Sequence, residues 1–167
     1  MRRRSQLTIL LALLFLLPFL HLEIERSDES WLLLVDGRPV DIAGRISQFW
    51  TSATLQCERT EVLPAHHPLH IQTLDLIRTY SLPDSLTANV VALNRVDQWL
   101  LAQVKFERLE PAVVVLQISG LDVVIPQGGI WSGPTFPHTP EPLIRRFIAS
   151  RVPGVPSELL GCFAYEL

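Results

Sequence analysis

The chain lacks the short patterns that mark most nucleotide-binding, metal-binding and hydrolytic proteins. There is no glycine-rich phosphate loop, no zinc-peptidase helix, no EF-hand loop and no Asn-linked glycosylation sequon. Asp75, Asp84, Asp97 and Asp122 are scattered, so no pair of catalytic carboxylates stands out. Net charge is only −3, which gives nucleic acid no electrostatic reason to bind. No internal repeat and no low-complexity segment is present. The first cysteine is Cys57, far from the N-terminus, which excludes a lipobox. After the apolar run that ends at Leu22, no pair of small residues is spaced for signal-peptidase cleavage.

What is present begins with a cationic block, Arg2, Arg3 and Arg4, followed by an apolar run over residues 7–22 interrupted only by Thr8, Pro18 and His21. A positive start and a leucine-rich run make an export signal. Without a cleavage site it is expected to stay attached, as an uncleaved signal anchor over residues 1–24. A span needs about 20 apolar residues, and residues 5–24 reach that length with snorkelling at the ends. Arginines precede the run, whereas Glu23, Glu25, Asp28 and Glu29 outweigh Arg26 after it. The positive-inside rule then places the N-terminus in the cytoplasm and the remainder outside the inner (cytoplasmic) membrane. Gln6 stands where a twin-arginine signal needs an apolar residue, so that route is set aside.

Residues 25–30 read as a membrane-proximal linker and residues 31–167 as one extracytoplasmic α+β domain. Hydrophobic residues make up 48% of the chain, more than the anchor alone explains, so a folded domain is expected. Asp36-Gly37 between two β-prone runs predicts a hairpin, with Pro39 confining its second strand to an edge. Residues 43–62 are ambiguous: Ile46, Phe49, Trp50 and Ala53 have helical spacing, while threonine and valine allow a strand. Pro64 and Pro68 mark a loop, and Ile71, Leu74 and Ile77 favour a helix after it. Apolar and polar residues alternate from Ala102 to Phe106, as in a half-buried strand. Residues 112–119 are an unbroken apolar run and predict an interior strand, followed by a turn at Gly120 and a further strand. Residues 127–140 read as an irregular loop. Thr139 as N-cap and Pro140 at the first helical position predict a helix with Leu143, Ile144, Phe147 and Ile148 on its buried stripe. Ser157 is expected to cap a second short helix. Strands first and helices last predict a mainly antiparallel sheet covered on one side by C-terminal helices.

Candidate sites are few. His66, His67 and His70 share one segment, and His66 and His70 are metal candidates only if that segment is helical. No cysteine or acid lies close enough in sequence to complete a coordination sphere, so no metal and no cofactor is assigned. Ser132 lacks the G-x-S-x-G spacing of a nucleophile elbow. The loop of residues 128–138 carries Trp131, Phe136 and His138, an aromatic set suited to interaction. Cys57 and Cys162 both follow the anchor, and outside the cytoplasm an even count favours a bridge between them.

These readings point to a single-pass membrane protein, non-enzymatic, that presents its outer domain to other envelope proteins. The layout resembles that of single-pass assembly subunits of bacterial envelope machines, in arrangement and not in motif. The alternative is a secreted or periplasmic enzyme or ligand-binding domain that uses the loop of residues 128–138.

Overall fold

The first element of the domain is small and self-contained. In the computed structural model, which describes residues 22–26 and 31–167, Asp36 and Gly37 take φ of 52° and 73°. Positive φ at both central residues is what a type I′ hairpin needs. It joins β2 (Trp31–Val35) to β3 (Arg38–Val40). Pro39 sits in β3, an edge strand, as its missing N–H requires. On the other side, β1 (Leu22–Arg26) pairs antiparallel with β2. The expected anchor therefore lies outside the described residues up to position 21. Its last residues and the start of the expected linker are strand. No helix among the described residues is long and apolar enough to cross a membrane.

Asp41 ends this sheet and starts α1 (Ile42–Thr54), which resolves the ambiguous segment as helix. After a 3₁₀ turn at Cys57–Arg59 and the short β4 (Glu61–Val62) comes α2 (Pro68–Tyr80). Pro68 does not break this helix but opens it, at a position where its missing N–H costs nothing. His67 is the N-cap, its Nδ1 accepting from the Leu69 N–H at 3.2 Å.

The main sheet follows: β5 (Asn89–Val96), β6 (Trp99–Lys105), β7 (Ala112–Ser119), β8 (Asp122–Val124) and β9 (Ile130–Ser132). With β4 it makes an antiparallel six-stranded sheet in the order β4-β5-β6-β7-β8, β9 sharing the outer edge of β7 with β8. β7 is interior, as its valine run predicts. β9 lies within the segment expected to be wholly irregular.

The sheet is covered on both faces, not one. Leu100, Ala102, Val104, Val114 and Leu116 point to a core completed by Ile77 of α2. Their neighbours Trp99, Leu101, Val113 and Val115 point to a second core. That core is closed by α3 (Pro140–Ala149) and α4 (Ser157–Gly161). Consecutive apolar residues in β6 and β7 demand cover on both sides. The strand expected to be half-buried is thus enclosed through Val104, and Gln103 lies inside, 1% exposed. Its amide donates to the Ala164 carbonyl at 2.6 Å and accepts from the Glu166 N–H at 2.8 Å. On α3, Ile144 and Ile148 are fully buried, while Leu143 and Phe147 sit at the rim of the core. Neither Thr139 nor Ser157 caps with its side chain: Pro156, not Ser157, precedes the first turn of α4.

α1 lies as an outer layer over α3 and α4 and touches β2. The layers run from α2, through the main sheet and α3 with α4, to α1 and the small sheet.

Candidate functional site

Cys57 and Cys162 are disulfide-bonded, with α-carbons 5.4 Å apart. The bond ties the 3₁₀ turn after α1 to the end of α4. Arg59, two residues on, reaches Glu158 and Asp97, each at 2.8 Å. The Glu158 carboxyl is held below its usual range by its own backbone N–H and the Ser157 hydroxyl, with the Arg59 charge a lesser cause. Gly161 lets the two elements meet, because a Cβ there would run into Leu55 and Thr51 of the α1 side.

The structure places the three loop residues in different surroundings. Trp131 is buried in the second core, whereas Phe136 is 79% exposed. His138 is half-buried where the loop, α1 and α3 converge. A groove beside the loop is lined by Trp131, His138, Arg146 and Arg151, and none of its lining residues is acidic. The Arg151 guanidinium stacks on Phe147, 3.7 Å from the ring centre. Ser132 donates to the Pro111 carbonyl at 3.2 Å. His66 is exposed and precedes α2, while His70 is buried within it, so the two do not share a helix face. Among the described residues no three His, Cys, Asp or Glu side chains converge as metal ligands.

Two surfaces stand out that local sequence patterns do not mark. One is a cleft of about 390 Å³ between the C-terminal end of α2 and the main sheet. Ile77, Phe106, Val114, Ile125 and Ile130 make its floor and walls, and Tyr80 and Leu109 stand at its lip. Leu82 and Leu86, in the same connection as the lining residues Ser81 and Ser85, are also exposed.

The other surface is α1, which is built inside out. Gly44, Ser47 and Thr51 face the body of the domain, where Arg145 of α3 donates to the Ser47 hydroxyl at 3.0 Å and to the Thr51 hydroxyl. Burial, and next the charge of Arg146, pushes the Arg145 guanidinium below its ordinary pKa. Ile42, Ile46, Phe49, Trp50 and Ala53 form the opposite stripe, and all are exposed, Phe49 by 65% and Trp50 by 62%. A surface helix normally buries that stripe.

The chain matches no protein family, no curated protein and no solved structure.

Proposed function

We propose that this chain is a single-pass, membrane-anchored component of a cell envelope. In this reading the anchor expected over residues 1–24 is retained up to β1, which takes its last three residues, the N-terminus is cytoplasmic, and the folded domain outside recruits another envelope protein without catalysing a reaction. The observation that carries the recruiting role is the apolar cleft under α2. It has the size and lining of a pocket that takes a large apolar group, and its lip is open to solvent. A partner would insert an aromatic or branched aliphatic side chain there. The Cys57–Cys162 bond supports the oxidising side of the membrane. The test is capture from solubilised membranes with the full chain and with Leu109→Asp. One protein should be recovered with the first and lost with the second, at unchanged thermal unfolding. Equal capture by both removes the cleft from the reading.

A further inference from the structure

A second set of exposed apolar side chains, apart from those around the α2 cleft, lies on the small sheet and on α1. In the small sheet, directly paired residues share a face: Leu22 with Val35, Ile24 with Leu33, Arg26 with Trp31, and Val35 with Arg38. That face carries Ile24 at 71% and Trp31 at 60% exposure, with the Arg26 guanidinium over the Trp31 ring. Glu23 and Glu25 pair with Leu34 and Leu32, on the opposite face, where Leu32 is buried. The outward face is therefore apolar, aromatic and cationic, with no carboxylate on its paired positions. α1, which touches β2, repeats this composition. It has no acidic residue, its outward stripe is Ile42, Ile46, Phe49 and Trp50, and Arg45 is exposed beside them.

The position of the chain decides what covers these groups. The apolar run of residues 7–22 ends in the residue that begins β1, so no spacer separates the proposed anchor from the small sheet. A five-residue strand spans about 17 Å at 3.3–3.4 Å per residue. β2 pairs with β1 along its whole length and touches α1, so both elements are tethered close to the point where the proposed anchor would leave the bilayer. Indole rings favour the membrane–water interface, and arginines beside them favour anionic headgroups. A helix with an apolar stripe and no acid lies in that interface readily.

We infer that the outward faces of the small sheet and of α1 rest on the bilayer that holds the anchor, with Trp31 and Trp50 immersed among anionic phospholipids. This orients the domain with the α2 cleft facing away from the membrane. The inference rests on the anchored reading above.

The four tryptophans make the test direct, since Trp99 and Trp131 are buried in the domain core while Trp31 and Trp50 are exposed. The full chain is reconstituted in phosphatidylcholine–phosphatidylglycerol vesicles whose acyl chains carry bromine. Tryptophan fluorescence should be quenched, less so in Trp31→Phe and in Trp50→Phe, and hardly at all in the double variant. Undiminished quenching in Trp50→Phe overturns the docking of α1. A carbonate wash of the same vesicles reports on the anchor alone. Chain that resists carbonate but shows no bromolipid quenching overturns the inference and leaves the anchor standing. Chain stripped by carbonate overturns the anchor and the inference with it. A photo-crosslinker placed at Phe49 in native membranes should label lipid; labelling of a protein instead overturns the inference in favour of a partner on this face.

Discussion

Asp41 and Thr139, 98 positions apart, are joined by a hydrogen bond in which the Thr139 N–H donates to Asp41 Oδ2 at 2.7 Å. The other carboxylate oxygen accepts from the Gly44 N–H at 2.8 Å. One buried side chain thus caps α1 and fixes the entry to α3, where the threonine hydroxyl expected to cap takes no part. Lost N-caps cost about 1 kcal/mol, and hydrogen bonds to a charged group about 1.5–3 kcal/mol. Asp41→Ala should therefore lower the unfolding free energy by about 3 kcal/mol. Asp41→Asn keeps one acceptor oxygen and should lose roughly half as much. Urea unfolding of the full chain in mild detergent measures both, and equal losses would show that the two bonds are not separable.

The disulfide gives a second expectation. Closing a loop of 105 residues is worth up to about 4.7 kcal/mol by chain entropy alone. The double variant Cys57→Ser, Cys162→Ser should lose most of that and still fold, because the Arg59 bridges and the second core remain. Alkylation of native, unreduced chain after unfolding should label no thiol; two labelled thiols would refute the bond.

On α3 the stripe is graded. Ile148 is fully enclosed, and Ile148→Ala should cost about 2–5 kcal/mol. Phe147 is half-buried at the edge under Arg151 and should cost less than Ile148 when cut to alanine. Chemical unfolding of the two variants ranks them, and the reverse order would place Phe147 at the centre of the core.

Tyr165 sets a pH dependence. Burial raises its phenol above the usual value, helped by the charges of Glu110 and Glu141 and opposed by a hydrogen bond with Thr135. A raised acid holds its proton longer when folded, so the folded state binds more protons above the unfolded pKa of about 10. The stabilisation is complete below that pH and is lost as pH climbs through the higher folded value. Tyr165→Phe should flatten the alkaline limb of stability against pH and leave the neutral region nearly unchanged.

Much of the fold is legible from local pattern, and the surfaces are not, for one physical reason. Asp36-Gly37, the valine run of β7 and the proline-led start of α3 each act over a few residues. The spacing of Ile46, Phe49 and Trp50 is helical, but which side of a helix faces inward is decided by what packs on it. Here Gly44, Ser47 and Thr51 admit Arg145 and the close approach of Gly161, so the polar side wins. The α2 cleft draws Ile77, Phe106, Val114, Ile125 and Ile130 from five segments, and no local window contains it. The disulfide could be read because two cysteines allow one intramolecular pairing. His66 and His70 were separated by Pro68, whose role as a helix opener depends on His67 capping from outside.

Gln103 shows the same limit inside the sheet, and it yields the last expectation. Its place in an alternating strand reads as solvent-facing, yet the C-terminal tail crosses that position and takes both ends of its amide. Gln103→Leu removes both bonds while keeping most of the volume. The Ala164 carbonyl and Glu166 N–H lose their partner, at about 1–3 kcal/mol for groups left unpaired away from water and less where water reaches them. Ala164 and Glu166 are exposed, so global stability should fall by no more than about 1–2 kcal/mol. The local effect should be larger. The Glu166 amide should exchange with solvent many times faster, while amides of β6 such as Leu101 keep their protection. Hydrogen exchange followed by mass spectrometry of the C-terminal peptide reads this directly. Unchanged exchange there would mean that Tyr165, through its N–H to Glu141 at 3.4 Å and its ring in the second core, is sufficient to hold the tail without Gln103.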